Sequence, residues 1–166
     1  KDVESLERAH KIDAVVFDKT GTLTEGHPEV VASFVVSGNE AELLLAAASL
    51  QQGSEHPLAH AVLRAASKSA LELSTIDEFR SHTGRGVSGR IGGAQVLVGN
   101  QFFMADNGFE TPVSESPTES WENEGKTVIW VARSGELLGA LALADPLRLE
   151  SGASILELTS LGVRTL

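Results

Sequence analysis

Ile12-Asp13-Ala14-Val15-Val16-Phe17-Asp18-Lys19-Thr20-Gly21-Thr22-Leu23-Thr24 is the stretch whose reading decides the fold. Its first six residues form an apolar run that reads as a buried parallel strand over 12–17. The run ends on a carboxylate, Asp18, and open α/β sheets carry their reactive groups at the carboxyl ends of strands. Gly21 and the threonine hydroxyls beyond it can wrap a phosphate with N–H and O–H donors. A carboxylate there can attack a phosphoryl group and become an acyl phosphate. The plainer reading of Asp18 is a turn residue after a strand, but turn chemistry alone does not ask for Lys-Thr-Gly-Thr behind it.

The heptad Asp18 to Thr24 resembles, letter for letter, the phosphorylation motif of the P-type ATPases. The resemblance implies that Asp18 accepts the γ-phosphate of MgATP and that Lys19 neutralises developing charge. It also implies that Thr20 donates to the phosphoryl oxygens and offers its carbonyl to Mg2+, so Asp18 and Thr20 are the expected magnesium ligands. ATP and Mg2+ are thus the expected substrate and cofactor. The haloacid-dehalogenase phosphatases, whose core fold these pumps resemble, usually carry a second aspartate two residues after the nucleophile. Thr20 stands there instead. Without a carboxylate to activate water, phospho-Asp18 is expected to hydrolyse slowly, which suits a pump and not a phosphatase.

Composition agrees with a globular domain. With 166 residues the chain can bury a real core and has room for one or two small domains. No apolar stretch approaches the ~18–20 residues of a membrane span, and Lys1 to Glu7 is too acidic for a signal peptide. The chain as given is therefore expected to be soluble. A net charge of −10 argues against nucleic acid or an anionic membrane surface as partner. It also requires that any phosphate be held by local donors. Cysteine is absent and Met104 is the one thioether, so a soft ion such as Cu(I) has no evident multidentate site here.

Beyond Gly26 a different block opens. Glu29–Val36 reads as a strand, Glu40–Leu50 as a helix rich in Ala and Leu, and Pro57–Ala70 as a helix with proline in its first turn. Short strands follow at 76–81, 87–91 and 95–98, with Gly92-Gly93 as a hairpin turn. A short helix over 100–107, a loop over 108–117 and a helical turn over 120–124 precede a hairpin of 127–132 with 137–144. Asp145-Pro146 breaks that strand, 149–161 reads as a helix, and 163–166 begins another strand. The pattern predicts an insertion. Residues 1–26 and 145–166 are two parts of an incomplete Rossmannoid phosphorylation domain, and 27–144 is an antiparallel-sheet α+β domain with flanking helices.

Within the insertion, Ser54-Glu55-His56-Pro57-Leu58 stands just before a helix, where an imidazole can stack on or hydrogen-bond a base. A helix-entry role is the plainer reading of His56. Gly84-Arg85-Gly86-Val87-Ser88-Gly89 leads into a strand, which excludes a dinucleotide-binding turn and leaves a glycine-rich turn. Gly99-Asn100 ends a strand, and Asn100 serves as an N-cap on the plainer view. These segments resemble the nucleotide-binding domain of heavy-metal P-type ATPases of the copper type. That likeness covers essentially the whole chain. It implies that Glu55, His56, Gly84, Gly86, Gly99 and Asn100 hold ATP, with His56 on the adenine. Asp145-Pro146-Leu147-Arg148 resembles the hinge through which the insertion returns. Many members carry Glu five residues before the histidine, where this chain has Gln51, so a charge-assisted contact becomes neutral and binding weakens by ~1 kcal/mol.

Two look-alikes fall away. Gly125-Lys126-Thr127 imitates the end of a phosphate-binding loop, but the required first glycine is Ser120. His56 and His60 have zinc-like spacing without a third ligand. The resemblance implies a portion of a membrane pump, its cytoplasmic part, with the remaining phosphorylation, actuator and transmembrane domains as partners and a metallochaperone for the full-length protein. Thr-Gly-Asp and Gly-Asp-Gly-x-Asn-Asp segments are expected beyond Leu166. Cu(I) export is the expected activity. Zinc or cadmium transport, or a non-catalytic nucleotide-binding module, is the alternative.

Overall fold

The structure, a computed structural model, describes residues 12–166, the side chains of Lys19 and Thr20 excepted. The expectations for Lys1 to Glu7, and for the first eleven residues of the first domain piece, lie outside the described residues. In chain order the elements begin with β1 (Ala14–Val15), a π-helical turn (Lys19–Leu23), β2 (Glu29–Val35), α1 (Glu40–Gln51), α2 (Pro57–Lys68) and β3 (Ile76–His82). Next come β4 (Gly86–Ile91), β5 (Ala94–Gly99), α3 (Gln101–Asp106), a 3-10 turn (Val113–Glu115) and α4 (Thr118–Asn123). Then follow β6 (Thr127–Arg133), β7 (Glu136–Ala144), α5 (Leu149–Ser160) and β8 (Arg164–Thr165). The chain divides into two compact units: residues 28–144, and residues 12–27 together with 145–166.

The unit 28–144 is built on one six-stranded sheet in the order β2-β7-β6-β5-β4-β3, antiparallel throughout. Strand β6 explains its layering. Ile129 and Val131 pack with Leu43 and Leu50 of α1 and Val62 of α2. Val128, Trp130 and Ala132 pack with Phe103 and Met104 of α3 and Trp121 of α4. Alternate residues of a strand face opposite sides, so the sheet is covered on both. A strand covered on both faces has no reason to alternate apolar with polar, and Val128 to Ala132 is apolar throughout. Each large apolar side chain so buried contributes about 1.5–3 kcal/mol.

Local chemistry sets the helix boundaries. Asn39 caps α1, its Oδ1 accepting from the Glu42 N–H at 3.0 Å. From Leu43 to Gln51 the helix is buried on most sides, as a helix apolar nearly all round should be. Pro57 occupies the first position of α2, where its missing N–H costs nothing. Helix α3 starts one residue later than the sequence predicts, because Asn100 is its cap, and α4 is a full short helix where a single turn was expected.

In the unit formed by 12–27 and 145–166, β1 and β8 pair in parallel, Ala14 opposite Arg164 and Val15 opposite Thr165. The parallel sense agrees with the sequence reading, but the buried strand over 12–17 needs correction. Only Ala14–Val15 is strand, both residues are half-buried, and Ile12 and Val16 are exposed. Among the described residues this sheet has two strands, and the exposure of Ile12 and Val16 shows that the run is not covered along its length.

Candidate functional site

A cavity of about 570 Å³ opens in the unit 28–144. Its wall comes from the end of α1, the approach to α2, the β3–β4 turn, the end of β5 and the start of β6. Gln51, His56, Gly84, Gly86, Gly99 and Asn100 all line it. Residues far apart in sequence thus meet at one site because sheet order puts β4 beside β5 and lays α1 across them. Glu55 is exposed and stands outside the lining.

His56 caps α2. Its Nδ1 accepts from the Leu58 N–H at 3.2 Å, leaving Nε2 and the ring face for other partners. Both the plainer reading and the ligand reading therefore keep a part of the same ring. Asn100 is likewise doubly engaged. Its Oδ1 accepts from the Phe103 N–H at 2.9 Å, and its Nδ2 donates to the Gly84 carbonyl at 3.0 Å. The cap of α3 thereby holds the glycine turn in place, and Gly84 adopts φ +69°, a left-handed conformation that glycine reaches without strain.

Gly86 and Gly99 are opposite each other in the β4–β5 ladder. A Cβ on Gly86 would stand 2.3 Å from the Val98 carbonyl oxygen, and one on Gly99 would stand 2.6 Å from the Arg85 carbonyl oxygen. The strands and the Phe103 ring require glycine at both places before any ligand is considered. The sequence reading assigned these glycines to a turn or to ligand approach and missed this packing reason.

Gln51 is the most telling lining residue. It is 7% exposed, lines the cavity, and its amide has no hydrogen-bond partner among the described residues. No buried side-chain nitrogen or oxygen among the described residues lacks a partner, so the Gln51 amide is open to the cavity, where its donor and acceptor are free to meet water or a ligand. Sequence reasoning also missed His82 and Arg85. The ring of His82 lies 4.8 Å from that of Phe103 and its Nε2 is 2.9 Å from Ser88 Oγ. Their only signal was adjacency to the glycine turn. Among the described residues no Asp or Glu lines the cavity, although the chain as a whole carries a charge of −10.

In the other unit, Asp18 is exposed just after β1, at the mouth of the π-helical turn. The turn is held from the far end of the chain. Asp145 accepts from the Thr24 hydroxyl and from the N–H groups of Gly26 and His27. Arg148 donates from Nε to the Thr24 carbonyl at 3.0 Å and from Nη2 to the Gly21 carbonyl at 3.1 Å. Ser151 adds a bond to the Leu23 carbonyl at 2.7 Å. The segment read from sequence as a hinge is therefore also a brace for the loop that follows Asp18.

A family model for haloacid dehalogenase-like hydrolases matches residues 12–166. A silver exporting P-type ATPase of Salmonella typhimurium is 37% identical over 165 residues, 99% of this chain and 20% of its own length. A probable copper-transporting ATPase, PacS, of Synechococcus elongatus is 40% identical over 166 residues, 99% of this chain and 22% of its own. Among solved structures, a crystal structure of a zinc-transporting PIB-type ATPase matches with a TM-score of 0.75 at 36% identity, over 93% of this chain and 25% of that one. The chain belongs to the haloacid dehalogenase-like hydrolases. Within them it falls in the branch of the heavy-metal P-type ATPases. It spans about a fifth of the length of the curated relatives it matches.

Proposed function

We propose that this chain is the ATP-binding and phosphorylation region of a heavy-metal-translocating P-type ATPase. The unit 28–144 would hold the nucleotide and the flanking unit would present Asp18. The observation that carries the reading is the meeting, at one cavity, of the Gln51 amide, the His56 ring and the glycine turn, from segments far apart in sequence. An adenine edge offers the donor and acceptor that a primary amide needs. His56 would pack on the base, and Gly84, Gly86, Gly99 and Asn100 would bring the backbone close to it. Glu55, outside the lining, would have no direct contact.

In the transfer step a carboxylate oxygen of Asp18 attacks the γ-phosphorus. The bond from that phosphorus to the β–γ bridging oxygen breaks, ADP leaves, and Asp18 becomes an acyl phosphate. Mg2+ takes one or two carboxylates together with phosphate oxygens, and an exposed Asp18 carboxylate fits that need. Asp18 and the Thr20 carbonyl would hold the ion, which supplies charge neutralisation. Lys19 would add a second positive charge and Thr20 a hydrogen bond. With threonine at position 20 no carboxylate activates water, so the acyl phosphate persists.

The parent protein would export Cu(I), with zinc or cadmium as the alternative cargo. Its other domains, including the rest of the phosphorylation domain, would cover the apolar side chains Ile12, Val16, Leu156 and Leu161 that are exposed here. Among the described residues no helix is long and apolar enough to cross a membrane. A membrane location and a metallochaperone partner would therefore belong to the whole pump.

The test is a titration with ATP, with and without Mg2+, followed by backbone amide NMR. Shifts clustered at Gln51, His56, 84–89 and 99–100 are expected. No binding at millimolar ATP would sink the nucleotide reading. Binding without any phosphate trapped on Asp18, even when the missing half-domain is supplied, would make the chain a non-catalytic nucleotide module.

A further inference from the structure

The nucleotide cavity is asymmetric in charge and in depth. Gln51 is nearly buried in its wall, whereas Arg85 stands at an open part with its side chain 48% exposed. Arg85 is the one Lys or Arg among the described lining residues, and no carboxylate shares the wall with it. In a chain of net charge −10 the wall thus carries one cation and no anion, the paired Asp106 standing outside the lining.

The backbone beneath the guanidinium is fixed on both sides. The Arg85 N–H donates to the His82 carbonyl at 2.9 Å, and the Arg85 carbonyl accepts from the Asn100 N–H at 2.9 Å. The side chain lies over Phe102, 5.9 Å from its ring centroid, and Nη1 stands 3.1 Å from Asp106 Oδ2. A guanidinium has five N–H donors on three nitrogens, and this pair engages Nη1. An exposed ion pair is worth little, so an incoming anion can share or replace Asp106 at small cost.

We propose that Arg85 is a phosphate-contact residue that takes the anionic oxygens of the nucleotide's phosphate chain, so that the cavity discriminates nucleotides from nucleosides. The inference rests on the nucleotide reading above and adds the ligand's charged end to it. Gln51 and His56 would read the base, and Arg85 would read the charge.

The experiment compares ATP with adenosine by calorimetric titration of the 166-residue chain at low salt. Arg85→Gln is expected to raise the ATP dissociation constant about fivefold and to leave adenosine within about twofold, as loss of one half-exposed charge-assisted contact should. The ATP effect is expected to shrink at about 0.5 M salt, where exposed charges are screened. Arg85→Lys, which keeps the charge, is expected to retain most of the ATP affinity. Asp106→Asn leaves Arg85 in place and removes its competitor, so ATP is expected to bind more tightly with adenosine unmoved. Equal weakening of ATP and adenosine by Arg85→Gln, no change in either, or unchanged or weaker ATP binding in Asp106→Asn overturns the proposal. Failure of the unsubstituted chain to bind both ligands overturns the nucleotide reading itself, and this inference with it.

Discussion

Thr24 donates its hydroxyl to the carboxylate of Asp145 across 121 residues of sequence, and Thr24 itself is buried. The same Thr24 Oγ1 accepts from the Gly21 N–H at 3.1 Å, and the same carboxylate accepts from the Gly26 and His27 N–H groups. One carboxylate thus gathers the loop after Asp18 and the point where the chain leaves for the inserted unit. The insertion has to return next to where it departed, and Asp145 is the residue that does the joining.

Asp145→Ala is expected to loosen that loop without touching the sheet of the other unit. It removes the shared acceptor of the Thr24 hydroxyl and of the Gly26 and His27 N–H groups, and because water can reach the two exposed N–H groups the cost is about 1 kcal/mol. Amide hydrogen exchange at Gly21, Gly26 and His27 should accelerate, while exchange across β5 and β6 stays as it was. Equal protection in the two proteins would remove the brace from the account.

Gly99→Ala is expected to destabilise the unit 28–144 by about 1–3 kcal/mol, because its methyl would meet backbone and the Phe103 ring instead of open space. Thermal unfolding followed by tryptophan fluorescence reads this directly, since Trp121 and Trp130 lie in the affected core. Gly84→Ala serves as the contrast. It has open space around it and only the left-handed backbone to oppose it, so its cost should be the smaller of the two.

Gln51→Glu should act in opposite directions on the free and bound forms. A charge at a nearly buried position lowers the stability of the free chain. On the nucleotide reading it also strengthens the contact with the adenine amino group, by ~1 kcal/mol. The melting temperature should fall without ATP and recover more steeply with it. An ATP affinity unmoved by this substitution shows that Gln51 does not contact the nucleotide.

His56 needs two variants, because it both caps α2 and lines the cavity. His56→Ala should cost about 1 kcal/mol of stability from the lost cap alone. His56→Asn can restore the cap but has no ring, so stability should return while nucleotide affinity stays low. Affinity that recovers together with stability would assign His56 to the helix and not to the ligand.

Glu124 is the group among the described residues whose titration is clearly displaced. Its hydrogen bond with the Lys126 ammonium at 2.6 Å, and then that with Ser120 at 3.1 Å, hold the carboxyl below its ordinary value of 4.5. A group whose folded pKa is lowered contributes stability above its unfolded value, and that contribution is lost as pH falls through the folded one. Lys126→Gln should therefore move the Glu124 carboxyl resonance midpoint back up towards 4.5 in an NMR titration. The effect on overall stability should be small, as the Glu124 side chain is exposed.

Much of this was legible in the chain itself. Asp18-Lys19-Thr20-Gly21-Thr22-Leu23-Thr24 carries its chemistry in consecutive residues, so no folding is needed to see a carboxylate set before phosphate donors. Helix starts were legible for the same reason: Asn39 and Pro57 act on backbone groups within a turn of themselves. The alternation of glycine turns with short strands announced an antiparallel sheet.

Tertiary structure alone decided the rest, because the deciding contacts join residues far apart in sequence. Gly86 and Gly99 need each other's lack of a side chain, which no local pattern reveals. Arg85 became the cation of the cavity only when the wall around it proved free of carboxylates. Asp145 looked like a strand breaker until folding brought Thr24 to it. Sequence by itself determined which groups could perform chemistry, since that depends on residue type and short spacing. Burial, pairing and the sign of the local field depend on what the fold sets beside each group, and the fold decided them.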